Sequence, residues 1–187
     1  MHNRKILIIG EVYVDQHLDI IENGYSTSRL GGIFHAARSC DALNIEYALA
    51  YYAPDYLVKD VEKFGIDVLR ASSIFRLGKV DKAPNVMLIG QSDESGNQLY
   101  ENILGRQAEY VSMLPFMQVL DDFDPTDIII FPGRYGNAGI LSNLSNYEGK
   151  IHIDMNYDCD DILDLDTIKI QTVFLSTSST SFEAVSY

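Results

Sequence analysis

Five short runs rich in Ile, Leu, Val, Phe and Tyr punctuate the chain: "KILIIG" (5–10), "EYALAYYA" (46–53), "DIIIFPG" (127–133), "KIHIDMN" (150–156) and "TVFLST" (172–177). The apolar runs among them leave no solvated face, so they predict strands covered on both sides. Helical spacing separates several of them. Apolar and small residues recur at Phe34, Ala37, Cys40 or Asp41, and Leu43 or Asn44. "DYLVKDVEKFG" reads as a second helix, with Asp55 as its N-cap and Gly65 as its stop, and "NAGILSNLSN" and "DDILDL" as short helical pieces. Strands alternating with helices imply an α/β domain built on a mainly parallel sheet.

Two excursions break the alternation. "EVYVDQHLDI" is followed by the turn residues "ENGYSTS", and "NVMLIGQSDESGNQLYENIL" carries two strand-like runs around Ser-Gly-Asn. They predict a small β-lid, from roughly residues 12–28 and 85–104, inserted in one three-layer α/β/α domain spanning 1–187. Such a lid has open strand edges, and pairing with a second copy would cover them. A homodimer is therefore expected, and a monomer by light scattering at high concentration would count against it. The final "STSSTSFEAVSY" reads as a strand and the start of a helix, so the fold is expected to be incomplete at its C-terminus.

Charge narrows the partners. Lys and Arg number 14 against 27 Asp and Glu, a formal net charge of −13. That field repels phosphate backbones and argues against nucleic acid. No apolar run has membrane-spanning length, and "KILIIG" is too short for a signal peptide, with Glu11 and Asp15 close behind it. Cys40 and Cys159 have no metal or redox spacing, so a reduced, cytoplasmic protein is expected.

The residues that could carry chemistry gather near strand ends. Gly31 and Gly32 stand directly before the first helix, where bare backbone permits either close approach of a ligand or merely a tight turn. Asp15 follows the first strand and could accept hydrogen bonds from two ligand hydroxyls; an exposed turn aspartate is the plain alternative. His35, in the first helical turn, could donate to the same ligand. Asp154, at a strand end, reads as a polar group facing the crevice, with Asn156 beside it along the edge. "GRYGNAG" (133–139) lacks phosphate-loop spacing, and no P-loop motif occurs anywhere. "DMNYDCDDILDL" puts Cys159 and Leu165 where a calcium loop needs Gly and Glu.

The order of these features resembles the PfkB, or ribokinase-like, family of carbohydrate kinases. "ILIIGEVYVDQHLDI" is similar to the family's opening strand, whose substrate-binding Asp falls on Asp15. "LGGIFHAARSCDALNIEYALAYYAPDY" is similar to its first signature, and the hairpin of 85–104 to its lid. The short Gly-Gly spacing and the "FEAV" ending most resemble the heptose-phosphate kinase branch. The resemblance implies that Gly31 and Gly32 let sugar hydroxyls reach the helix start, and that ATP and Mg2+ serve as cofactors. It also assigns Glu183 to an Asn-x-x-Glu element that positions metal and phosphate, although Ser or Thr stands where Asn is expected. His35 replaces the usual Asn. The Gly-Ala-Gly-Asp signature, which supplies the anion hole and the catalytic base, does not occur in the 187 residues. The expectation is thus the substrate-binding portion of a kinase for a sugar or sugar-phosphate hydroxyl, inactive as this chain alone. The alternative is a non-catalytic, kinase-derived sugar-binding or regulatory protein.

Overall fold

A computed structural model describes residues 4–22, 25–92, 98–103, 108–131, 137–156 and 169–176. Its centre is β1 (Lys5–Glu11), paired in parallel with β4 (Glu46–Ala53) on one side and β9 (Asp127–Ile130) on the other. Beyond β4 lie β5 (Ser73–Asp81) and β8 (Glu109–Ser112); beyond β9 lie β10 (Lys150–Asn156) and β11 (Ile170–Ser176). All neighbours in this seven-stranded sheet are parallel except β8, which runs antiparallel to β5.

Alternation along β1 builds the two faces. Leu7 and Ile9 point to one side, with Ile128, Ile130, Ile151 and Ile153, under α3 (Phe116–Phe123) and α4 (Asn137–Asn143). Ile6 and Ile8 point to the other, with Tyr47, Leu49 and Tyr51, under α1 (Phe34–Ala42) and α2 (Val58–Lys63). Helices thus cover both faces of a parallel sheet, giving three layers. Each fully buried Ile or Leu contributes on the order of 2 kcal/mol.

The helices depart from the sequence reading in detail. α1 buries Phe34, Ala37 and Cys40, but Leu43 is exposed, because the helix ends there and Asn44 turns left-handed at φ 55°. Asp55 does not cap α2; its carboxylate is 2.6 Å from Arg76 Nη2 and 2.9 Å from Lys79 Nζ. Gly65 does not stop the helix either. The chain continues through a π-turn over Phe64–Val68, and a Cβ at Gly65 would stand 2.5 Å from Ile74 Cδ1, so this glycine serves close packing.

The two excursions join into a single sheet of their own. β2 (Val14–Glu22) pairs antiparallel with β3 (Tyr25–Leu30), β6 (Val86–Ser92) pairs antiparallel with β7 (Gln98–Ile103), and β2 runs parallel to β6. The order is β3-β2-β6-β7, so both excursions contribute to one four-stranded sheet, and most of "ENGYSTS" is strand instead of turn.

At the opposite end of the core, Asp127 anchors the start of β9. Thr126 Oγ1 donates to it at 2.8 Å, Arg4 Nη2 lies 3.3 Å away, and His152 Nε2 stands 3.4 Å from Oδ1. Burial alone would raise this carboxyl's pKa. The hydrogen bonds from Thr126, Arg4 and His152 outweigh it, and the pKa is lowered. A carboxyl lowered by folding contributes stability that is present above its unfolded pKa and lost as pH falls through the folded one. Urea denaturation from neutral pH to about pH 3 should show part of the acid destabilisation disappearing in Asp127→Asn. An acid limb of unchanged depth in that variant would contradict the assignment.

Candidate functional site

Among the described residues, the chain crosses between the small sheet and the core at 12–13, 31–33 and 82–85. The residue that ties these crossings together is Glu11, the last of β1 and 4% exposed. Its carboxylate accepts hydrogen bonds from Tyr13 Oη at 2.7 Å, Tyr110 Oη at 2.8 Å and Asn85 Nδ2 at 3.3 Å. Its carbonyl accepts from Ile33 N–H at 3.1 Å. Asn85, buried and left-handed at φ 49°, also donates to Val12 O at 3.1 Å, while its own carbonyl receives Val14 N–H at 2.8 Å. One buried carboxylate thus holds the junction of core and small sheet. Sequence reasoning passed over it; the available signal was an acidic residue at the end of a fully apolar strand.

The two glycines belong to the same junction. Gly31 N–H donates to Tyr13 O at 2.8 Å, and a Cβ on Gly31 would overlap both oxygens of the Asp15 carboxylate. Gly32 has φ +62°, and a Cβ there would overlap the Glu11 carbonyl oxygen. The bare backbone is therefore filled by the protein's own Asp15 and Glu11. A bulky residue at Gly32 disturbs folding before it can disturb a ligand.

Asp15 sits on β2 with its side chain 6% exposed. His35 Nε2, at the start of α1, stands 3.1 Å from Oδ2, and Arg29 Nε, directly across on β3, stands 3.8 Å away. Neither contact satisfies Oδ2, which is buried without a hydrogen bond. Two residues on, and so on the same sheet face, His17 is also buried, and neither ring nitrogen has a hydrogen-bond partner. Unsatisfied polar atoms of this kind cost roughly 1–3 kcal/mol each, so these three leave hydrogen-bonding capacity open to a ligand or water. The imidazole of His35 and the guanidinium of Arg29, each 51% exposed, form the cover.

The structure therefore brings Asp15, Gly31, Gly32 and His35 together and adds Glu11, His17, Arg29 and Asn85. Asp154 lies on β10, two strands from β1, half-buried, with burial raising its pKa. Asn156 ends the same strand, and its side chain lies outside the described residues, as do Glu183, most of the "GRYGNAG" loop and "DDILDL". No described helix is long and apolar enough to cross a membrane.

No protein-family model matches the sequence, and no curated protein matches it. Solved structures do. A microbiome-derived acarbose kinase superposes with a TM-score of 0.60 at 12% identity, covering 92% of this chain and 61% of that one. The chain has the ribokinase-like fold. Ribokinase from Giardia lamblia matches with a TM-score of 0.56 at 16% identity, and fructokinase from Xylella fastidiosa with 0.55 at 10%. Each of these covers 81% of this chain, which spans 50% and 52% of their lengths. In this ribokinase-like arrangement the Asp15 cluster stands at the carboxyl end of β1 and the N-terminus of α1, the edge where open α/β sheets receive ligands.

Proposed function

We propose that this chain is the substrate-binding and lid portion of a PfkB-type sugar kinase. In this reading Asp15 and His35 recognise the hydroxyls of a sugar or sugar phosphate at the Gly31-Gly32 helix start. The observation that carries it is the buried Asp15 Oδ2 without a hydrogen bond, beside the first turn of α1. A carboxylate takes two O–H donors in a fork, each charge-assisted, and a vicinal diol supplies such a pair. His17, unpartnered on the same face, offers a third contact. The names of the structural neighbours, acarbose kinase, ribokinase and fructokinase, support a polyol ligand.

In such a kinase, ATP with Mg2+ supplies the phosphoryl group. Glu183, which the resemblance assigns to positioning metal and phosphate, lies outside the described residues. The Gly-Ala-Gly-Asp signature is missing from the sequence. The chain's own contribution is thus binding and orientation of the acceptor and exclusion of water beneath the small sheet.

Calorimetry against a panel of sugars and sugar phosphates tests the proposal. Asp15→Asn should lower the affinity of the sugar that binds by about 100-fold, the scale of charge-assisted bonds lost in a buried site. Its melting point should stay within the range of a change of about 1 kcal/mol, because the carboxylate is underused in the folded protein. Unchanged affinity in the folded variant would refute the assignment.

A further inference from the structure

Behind the small sheet, between β3 and the first two helices, lies a cavity of about 430 Å³. Three cations line it: Arg29 of β3, Arg38 of α1 and Lys63 of α2. That grouping occurs in a chain of net charge −13, and among the described residues of the same wall Asp60 is the one carboxylate. The remaining wall is mostly apolar, with Leu57 and Phe64 among its residues.

Arg38 is the central element. Its Nη2 donates to Leu30 O at 2.7 Å, which fixes the guanidinium at the wall. The guanidinium carbon lies 5.5 Å from the centre of the Phe64 ring. Nη1 is buried and makes no hydrogen bond, so donor capacity is left unspent. Burial, followed by the charge of Arg29, lowers the pKa of Arg38, while Asp15 partly offsets this. The site thus holds positive potential that an anion would relieve. Its volume falls in the ordinary range for small-molecule sites, roughly 300–1,000 Å³.

We propose that this cavity binds a small organic anion, a phosphate monoester or carboxylate on an apolar or ring-shaped body. The anionic group pairs with Arg38 and Lys63, and the body packs on Phe64 and Leu57. Guanidinium donors suit both oxyanions, so the probes must distinguish them.

The test is titration of the whole protein with phenyl phosphate, benzoate and benzyl alcohol, followed by calorimetry. At least one of the two anions should bind more tightly than the uncharged alcohol, and whichever binds names the anionic group. Lys63→Glu, an exposed change on α2, should weaken that anion by about 10-fold or more. Arg38→Gln should do the same, with circular dichroism confirming the fold; if it fails to fold, Lys63→Glu decides alone. The proposal is overturned if neither anion binds, if benzyl alcohol binds as tightly as both, or if affinity is unchanged in Lys63→Glu.

Discussion

Gly32→Val should be severely destabilised. The position has φ +62°, a region that β-branched residues essentially do not enter, and the new Cβ would overlap the Glu11 carbonyl oxygen. That carbonyl cannot retreat, because it accepts the Ile33 N–H that starts α1. Backbone strain alone costs on the order of 1–3 kcal/mol, and the overlap adds to it. A total of about 4 kcal/mol or more is a large part of the roughly 5–15 kcal/mol that holds an ordinary domain folded. Gly32→Ala should be milder but still clearly destabilised. Denaturation monitored by circular dichroism decides, and a Gly32→Val variant melting with the wild type would show that the junction is looser than described. A steric block of ligand in a well-folded Gly32→Val protein is therefore not the expected outcome.

Glu11→Ala should be nearly as severe, for a different reason. It strips the shared acceptor from Tyr13 Oη, Tyr110 Oη and Asn85 Nδ2 at once. The buried Asn85 amide losing this acceptor costs roughly 1–3 kcal/mol, the half-buried tyrosines less, and the lost side chain leaves a void. A net loss of about 3 kcal/mol is expected, lowering the melting point by about 6–12 °C for a chain of this size. Because Glu11 joins the crossings to the small sheet, β2 and β6 should also exchange their amide hydrogens faster. Glu11→Gln keeps one acceptor oxygen but turns an amide N–H₂ toward a donor, so it should fall between. An unchanged melting point together with unchanged exchange in β2 and β6 would remove Glu11 from this role.

The legible part of the fold is the part that buries both faces. The runs of β1, β4 and β9 carry their strand signal in composition alone, since a strand between two helical layers has no room for solvated residues. β10 and β11 follow from the same reading with weaker patterns. β5 and β8 do not announce themselves. β5 carries Arg76, Lys79 and Asp81 toward partners near the sheet edge, and β8 is four residues long and mostly exposed. β3 looks like a turn because its Ser and Thr need only a ladder partner to become a strand, and β2 supplies it.

The site divides in the same way. Gly31 and Gly32 stand out locally, and so does Asp15, a few residues after the first buried strand. The reason for the glycines is tertiary, because only the folded chain presses Asp15 and Glu11 against them. The junction around Glu11 joins residues 74 and 99 positions apart, and no local pattern records such a contact. Arg38 and His17 look ordinary in sequence; what marks them is buried nitrogens without a hydrogen bond, Nη1 of Arg38 and both ring nitrogens of His17.

We propose Asp15 as the acceptor for a polyol's hydroxyls. The most direct measurement is a crystal structure of the protein with a sugar from the calorimetry panel bound. Two sugar hydroxyl oxygens should lie within about 3 Å of the Asp15 carboxylate, one of them on Oδ2, with the His35 imidazole moved off it or donating to the same sugar. A sugar bound elsewhere, with Asp15 still covered by His35 and Oδ2 still without a hydrogen bond, would contradict the account.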